Sequence, residues 1–153
     1  MLSFKVKINN DWINFTSVYA PPEEDNPDFF LKTKGELDTM EGDLGILCGD
    51  FNTTLDPKND RYGYVTDNHK KCRHTINSWI ETKELVGVVR HFHPDTPLYS
   101  WRTKDLGKKG RIDHLLATPK LLPFIRDARY VYHEHSLTDP ASLIFTMDIE
   151  KQI

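Results

Sequence analysis

The residues best suited to chemistry lie in residues 46–52, where an apolar run ends in the sequence Gly-Asp-Phe-Asn. The run predicts a buried strand, which places Asp50 and Asn52 two positions apart at its carboxyl end. Residues i and i+2 of an extended backbone point the same way, so a carboxylate and a carboxamide are expected to face one site. A carboxylate can orient or deprotonate water, and an amide can donate to a phosphoryl oxygen without repelling it. The pair suits phosphate chemistry; the simpler alternative is an Asx-turn in which both side chains cap their own backbone.

Three further polar residues fall at expected strand ends. Tyr19 closes a strand in V-Y-A-P-P, Asp113 lies in R-I-D-H-L, and Asp139 precedes the last strand in S-L-T-D-P-A-S. Each has a simple structural explanation: an amphipathic core edge, an ion pair with Arg111 or Lys109, and a turn before proline. The order in which they follow one another nevertheless indicates a shared site.

Composition favours one soluble globular domain over residues 1–153. A hydrophobic fraction of 38% and a charged fraction of 28% are typical of that class, and no apolar run has the length of a membrane helix. A net charge of −3 means that any nucleic-acid surface must be local. Cys48 and Cys72 do not form a disulfide framework, which favours a reducing intracellular setting, nuclear or cytoplasmic.

Apolar periodicity predicts an arrangement of sheets with helices packed on their outer faces, an α/β or α+β sandwich. The first two strands, separated by Asn9-Asn10-Asp11, are expected to form a hairpin. The predicted strands cover residues 3–9, 12–20, 46–52, 86–89, 98–101, 111–118, 129–134 and 141–147. The predicted helices cover residues 28–41, 69–84 and 119–124. Residues 53–68 are expected to form a long loop, and residues 102–110 a basic hairpin loop.

In this order, G-D-F-N, I-D-H and the turn that contains Asp139 resemble the motifs of the endonuclease/exonuclease/phosphatase superfamily. The sequences V-Y-A-P, L-Y-S-W, R-I-D-H-L-L-A-T and L-T-D-P-A-S-L-I-F are most similar to the apurinic-type endonuclease domain of LINE-like non-LTR retrotransposons. The resemblance extends over essentially the whole chain. It implies a DNase I-like fold, a two-sheet α/β/β/α sandwich that is N-terminally truncated here, and Mg²⁺-dependent cleavage of a DNA phosphodiester.

The resemblance also implies a role for each motif residue. Asp50 would handle the attacking water or the leaving oxygen, and Asn52 would hold the scissile phosphate. Tyr19 would contact the phosphate, and Asp113 would orient a catalytic histidine. Asp139, the acidic residue of the last motif, would bind the metal together with Asp50.

DNA contacts are implied for the hairpin loop and its neighbours. Ser100 occupies a place where the family uses a hydroxyl near DNA. The basic residues of the hairpin would reach into the groove and contact phosphates. They are Arg102, Lys104, Lys108, Lys109 and Arg111.

Two departures from the family predict that cleavage is absent or strongly impaired. The last motif reads Thr-Asp-Pro, so Pro140 stands where the family has a histidine, and loss of general acid–base help typically costs about 10²–10⁴ in rate. His135 could replace it only if the loop bent back, and His114 is expected to point away from Asp113. The strand end whose glutamate holds Mg²⁺ in the family has no counterpart before Tyr19. Two alternatives remain open: a non-catalytic DNA- or protein-binding module, and a phosphatase acting on a nucleotide or phospholipid.

The lack of the family's opening strands leads to one further expectation. The first hairpin would have an open edge and an apolar face that bears Phe4, Val6, Ile13 and Phe15. Unpaired edges and exposed apolar patches promote association. Self-association through this hairpin is therefore expected.

Overall fold

The computed structural model describes residues 1–22, 25–38, 44–132 and 141–148. The strands are β1 (Leu2–Ile8), β2 (Asp11–Tyr19), β3 (Gly45–Asp50), β4 (Arg61–Tyr62), β5 (Val86–Gly87), β6 (Trp101–Arg102), β7 (Lys109–Gly110), β8 (Asp113–Ala117), β9 (Ile125–Val131) and β10 (Ser142–Met147). The helices are α1 (Asp28–Asp38), α2 (Lys70–Thr82) and α3 (Val88–Phe92), with a 3₁₀ helix over Pro119–Phe124.

The main sheet has five strands in the order β1-β2-β3-β8-β5. β1 and β2 form the predicted antiparallel hairpin. β2 and β3 are parallel, and the crossover between them contains α1, because parallel neighbours need a long connection. β8 pairs antiparallel with both β3 and β5, so β3 lies in the middle of the sheet.

Apolar residues fill the space on both faces of this sheet. On one face, Phe30 of α1 packs against Phe51 and against Trp79 of α2, with ring centroids 6.1 and 5.7 Å apart. On the other face, a second core joins residues of the main sheet to the β9–β10 hairpin. The predicted α/β sandwich class is confirmed, with helices and a second sheet packed on opposite faces of the main sheet.

A third, small sheet extends from the start of β8. It has the order β4-β7-β6, and its β6–β7 pair is the basic hairpin predicted over residues 102–110. β7 runs into β8 through residues 111–112 only, so the small sheet and the end of the main sheet lie next to each other.

The predicted strand over residues 86–89 is wrong beyond Gly87. Val88 begins the short helix α3, and Val88 and Val89 are both buried. A short apolar run fits a buried strand or a buried helix equally well, which is why periodicity misassigned it. The predicted strand at residues 98–101 is displaced to Trp101–Arg102, and β9 begins at Ile125, four residues before its predicted start.

No helix in the described part of the chain is long and apolar enough to cross a bilayer.

β1 is the outermost strand of the main sheet on one side, and its outer edge bears no strand from the described residues. Phe4 is 50% exposed and stacks on Phe15 with ring centroids 5.5 Å apart. Ile13 is fully buried, so the expectation that it lies on the exposed face is wrong, because the second core covers it.

We expect this edge to mediate self-association, because an open strand edge beside exposed apolar rings can pair with a second copy. Analytical ultracentrifugation at micromolar concentration should show a dimer. Phe4→Lys should convert this dimer to a monomer, because a charged lysine on an edge strand disfavours pairing with a second copy. Leu31→Lys, at an exposed position of α1, is the control and should leave the dimer intact. A wild-type chain that stays monomeric across this range contradicts the prediction.

Candidate active site

Asp50 and Asp113 lie directly opposite each other on neighbouring strands. The antiparallel register of β3 and β8 pairs them, and the parallel register of β2 and β3 pairs Tyr19 with Asp50. Paired residues of adjacent strands project from the same face of a sheet. Three of the predicted site residues, far apart in the sequence, therefore meet at one end of the main sheet.

The surroundings of Asp50 and Asp113 disfavour the charged form of each carboxylate. Burial raises the pKa of Asp113 to about 6; a hydrogen bond from the Ser100 side chain opposes this shift, and the charge of Asp50 adds to it. Burial also raises the pKa of Asp50, opposed by the backbone N–H of Asn52. Oδ2 of Asp113 is buried and has no hydrogen-bond partner among the described residues. This pair is therefore suited to holding a proton or a cation.

Replacing Asp113 by asparagine should stabilise the chain at alkaline pH. Because the folded-state pKa of about 6 lies above the usual aspartate pKa of 3.8, the stabilising contribution of Asp113 is present below pH 3.8 and is lost as the pH rises through 6. At pH 8, Asp113→Asn should raise the free energy of unfolding by about 1–2 kcal/mol after allowing for solvent screening.

Urea denaturation in EDTA, between pH 4 and pH 8, measures this effect. The difference in the free energy of unfolding between Asp113→Asn and wild type should become smaller toward pH 4, where Asp113 itself is protonated. The exposed Asp95→Asn serves as the control and should show no such trend. A constant difference across the pH range would count against a raised Asp113 pKa.

The turn after β3 differs from the geometry expected for it. β3 ends at Asp50, and Asn52 has a left-handed φ of 47°, so the two residues do not alternate along one strand. Instead, Oδ1 of Asp50 accepts the Asn52 backbone N–H at 2.8 Å, which is the Asx-turn alternative. The Asn52 carboxamide donates to the carbonyl of Ala20 at 2.6 Å and so ties the ends of β3 and β2 together. A phosphate contact of Asn52 remains a prediction.

Gly49 explains the glycine of the G-D-F-N motif. It pairs with Val18 and has a φ of 135°, a conformation that residues with a Cβ rarely adopt. A Cβ at this position would lie 2.0 Å from the carbonyl oxygen of Val18. Only glycine lets β2 and β3 approach closely enough to bring Tyr19 beside Asp50.

Ser100 does not lie where the resemblance places it. It is 1% exposed, and its hydroxyl accepts the backbone N–H groups of Ile112 and Asp113, both at 3.0 Å. Its carbonyl accepts the N–H of Ala141 at 2.8 Å. The predicted DNA contact of Ser100 is therefore corrected: this serine fixes the start of β8, and with it the position of Asp113.

Arg111 is likewise buried, so its predicted DNA contact is also corrected. Its Nη2 lies 2.5 Å from Oδ1 of Asp60, and Arg90 contacts the same oxygen at 2.7 Å. Asp60 is fully buried. The simple explanation that Asp113 pairs with Arg111 also fails, since Arg111 is engaged by Asp60. Nothing in the sequence around Asp60 or Arg90 signals this network.

His114 lies on the opposite face of β8 from Asp113 and is packed, as expected. Its Nε2 donates to the carbonyl of Thr53 at 2.8 Å, and burial lowers its pKa to about 4. It is therefore a neutral structural residue. The other predicted residues of the last motif, Asp139, Pro140 and His135, lie outside the described residues.

Cationic side chains lie beside tyrosine rings on and next to the small sheet, in two groups. Lys109 lies 5.7 Å from the ring of Tyr62 and 6.0 Å from that of Tyr99, and Lys108 and Arg61 lie 6.0 and 5.9 Å from the ring of Tyr64. Because Lys108 and Lys109 are consecutive and Tyr62 pairs with Lys109, the two groups lie on opposite faces of the small sheet. We call both groups together the tyrosine–lysine surface; its members are Arg61, Tyr62, Tyr64, Tyr99, Lys108 and Lys109.

The remaining basic residues of the hairpin lie at the border of this surface. Lys104 is exposed at the hairpin tip. Arg102 is half-buried with its guanidinium 5.3 Å from the ring of Tyr132. Only residues 111–112 separate β7 from Asp113, so the small sheet lies next to the carboxylate pair.

Comparison with solved structures shows which known fold this is. An AP endonuclease from Archaeoglobus fulgidus matches with a TM-score of 0.78 and 20% identity over 95% of this chain and 65% of its own. The 3'-5' exonuclease NExo from Neisseria meningitidis matches with a TM-score of 0.68 and 22% identity over 89% of this chain and 61% of its own. The endonuclease domain of TRAS1, a telomere-specific non-LTR retrotransposon, matches with a TM-score of 0.70 and 17% identity over 98% of this chain and 64% of its own.

This chain spans less than two thirds of each of these proteins. No family model matches the sequence. The structural matches nevertheless show the fold: this chain has the DNase I-like α/β fold of these nucleases.

Proposed function

We propose that this chain is a nuclease-derived domain that binds DNA and cleaves it weakly or not at all. The observation that carries the proposal is the pairing of Asp50 with Asp113 at a sheet end next to the small sheet that bears the tyrosine–lysine surface. The similar solved structures include an AP endonuclease and the endonuclease domain of a retrotransposon, which support DNA as the ligand. A carboxylate pair beside a basic aromatic surface suits a phosphodiester whose backbone needs neutralising.

Each residue of the site has a defined task in this proposal. Asp50, held by the Asn52 N–H, would orient a water or stabilise the leaving oxygen. Tyr19 is 71% exposed at the end of β2, so its hydroxyl would donate to a phosphate oxygen. Ser100 fixes the backbone of Asp113 through two N–H bonds and so sets the spacing of the two carboxylates.

The carboxylate pair fits a divalent cation such as Mg²⁺, because the buried Oδ2 of Asp113 lacks a partner among the described residues. Asp50 and Asp113 would hold the cation, with Asp139 as the third ligand that the resemblance implies. Bound there, it would supply the positive charge that lets an anionic phosphate approach two carboxylates.

The proposed low activity follows from the last motif, which lacks the family's proton-transfer residue. Pro140 occupies the motif position where the family has a histidine. A lost general acid or base lowers the rate by about 10²–10⁴.

A plasmid-nicking assay with Mg²⁺ or Mn²⁺ tests this proposal. Wild-type chain should nick no faster, or only slightly faster, than Asp50→Ala, and Pro140→His should recover part of the activity at most. Rapid metal-dependent nicking that Asp50→Ala abolishes would falsify the proposed loss of activity. It would also support the assignment of Asp50 to the active site. Rapid nicking at the same rate in wild type and Asp50→Ala would point to a contaminating nuclease.

DNA binding should depend on the tyrosine–lysine surface. Replacing Lys108 and Lys109 together by alanine removes two cations that would contact phosphates. The affinity for a DNA duplex should fall by about 10-fold or more, and the slope of log K against log salt should decrease by about 2. Fluorescence anisotropy at several salt concentrations measures both quantities.

The matched control is the pair Lys70→Ala and Lys71→Ala, two exposed lysines at the start of α2. They should leave the affinity and the salt slope nearly unchanged. Equal losses in the two double variants would show that binding follows overall charge rather than this surface. Unchanged affinity after the loss of Lys108 and Lys109 would show that DNA binds to another part of the chain.

A further inference from the structure

Three metal-ligating side chains that are not part of the carboxylate pair meet at the start of α2. Asp25, His69 and Cys72 each offer a ligand atom, and these atoms lie within 4.8 Å of one another. Cys72 is buried, whereas Asp25 and His69 are half-exposed. No other such group of three occurs in the part of the chain that the structure describes. The cluster plays no part in the proposed DNA chemistry.

The fold fixes each of the three donors. His69 immediately precedes α2 and Cys72 is three residues further on, so the two side chains lie on the same side of the first turn. Asp25 comes from the segment before α1. Its Oδ1 accepts the backbone N–H groups of Lys71 and Cys72 at 2.9 and 3.1 Å, which holds the carboxylate against the helix. Its Oδ2 accepts a longer bond of 3.2 Å from the Lys71 N–H, and the carboxylate also has a hydrogen bond with the Cys72 side chain, a contact that a bound metal would replace.

The donor set selects among metals. A thiolate, an imidazole and a carboxylate are typical Zn²⁺ ligands, whereas Mg²⁺ requires oxygen donors. In a tetrahedral zinc site the ligand atoms lie roughly 3.3–3.7 Å apart, so shifts of about 1 Å would close this group around an ion. The charges of a thiolate and a carboxylate balance that of the dication. A water would complete the coordination on the exposed side.

The thiol of Cys72 is protonated in the metal-free chain. Burial, followed by the charge of Asp25, raises its pKa to about 11.

We propose that Asp25, His69 and Cys72 form a zinc site that fastens Asp25, just before α1, to the first turn of α2. With three protein ligands, the site would keep one position open to water. It shares no ligand with the carboxylate pair and has a different metal preference.

Zinc titration of tag-free, chelator-treated full chain tests the proposal. Isothermal titration calorimetry should show one equivalent of Zn²⁺, and the melting temperature should rise when zinc is added. Cys72→Ser and His69→Gln should each weaken binding by about 100-fold or more, since each ligand supplies a large share of the affinity. Co²⁺ should give a thiolate charge-transfer band that Cys72→Ser removes.

The chain offers matched controls for both substitutions. Cys48→Ser and His74→Gln change the same residue types elsewhere and should bind zinc like wild type, as should Asp50→Asn at the carboxylate pair. If Cys72→Ser fails to fold, the zinc affinity of His69→Gln tests the proposal, because His69 is half-exposed and its replacement should be tolerated. Absence of binding in wild type, or wild-type affinity in both Cys72→Ser and His69→Gln, overturns the proposal. Loss of zinc binding in Asp50→Asn would move the site to the carboxylates and overturn it equally.

Discussion

Replacing Asp60 by alanine is expected to lower the free energy of unfolding by about 3–5 kcal/mol. The Asp60 carboxylate is fully buried and contacts Arg90 and Arg111 at 2.7 and 2.5 Å. Its removal leaves two guanidinium groups without their counter-charge, and the side chain of Arg111 is only 7% exposed. A buried charge that loses its partner costs far more than the pair itself contributes.

Chemical denaturation of the variant at neutral pH measures this loss. The control is Asp127→Ala, which breaks the exposed ion pair with Arg129 and should cost less than about 1 kcal/mol. The Arg111→Met variant, which removes a charge and keeps the volume, should combine with Asp60→Ala less than additively, because both act on one network. A loss below 1 kcal/mol for Asp60→Ala would mean that water reaches both guanidinium groups.

Replacing Gly49 by alanine is expected to lower the free energy of unfolding by about 3 kcal/mol or more. The new Cβ would lie 2.0 Å from the carbonyl oxygen and 2.9 Å from the nitrogen of Val18. Both atoms belong to the backbone of β2, so no side-chain rotation relieves the overlap. The φ of 135° at Gly49 adds further strain for alanine.

Thermal and urea unfolding test this effect, with Gly87→Ala as the control. A Cβ at Gly87 meets no atom within 4 Å, so that variant should differ from wild type by less than about 1 kcal/mol. If Gly49→Ala folds by moving β2 away from β3, Tyr19 and Asp50 separate and DNA cleavage or binding at the site declines. Wild-type stability and wild-type DNA affinity in Gly49→Ala would together contradict the close packing of the two strands.

Much of the sheet could be predicted because its strands follow simple patterns. Phe4, Val6 and Ile8 alternate with polar residues, and the register of the first hairpin confirms the alternation. Cys72, Ile76 and Trp79 lie on one face of α2 and are buried as predicted. Val88 and Val89 were misassigned because two adjacent apolar residues carry no period. Pairing across the sheet, such as β8 between β3 and β5, depends on contacts between distant segments that periodicity does not contain.

The site residues could be predicted from the sequence only where they lie in a recognisable motif. Asp50, Asp113 and Tyr19 are brought together as their motifs implied, although their roles in catalysis remain predictions. Ser100 and Arg111 illustrate the limit, because serine and arginine are ordinarily exposed and only the packed structure shows that both are buried.

The central place of β3 has a consequence for how the chain is made. One edge of β3 pairs with β2, which is synthesised before it, but the other pairs with β8, and the Thr53–His114 bond beside it joins residues 61 positions apart. During synthesis β3 therefore has an open apolar edge until β8 leaves the ribosome. Pairing over such distances closes slowly, so this interval is the time when a nascent chain is most exposed to aggregation. Because Asp50 and Asp113 come together only in that pairing, the carboxylate site cannot form before β8 is made, and no fragment that ends before β8 contains it.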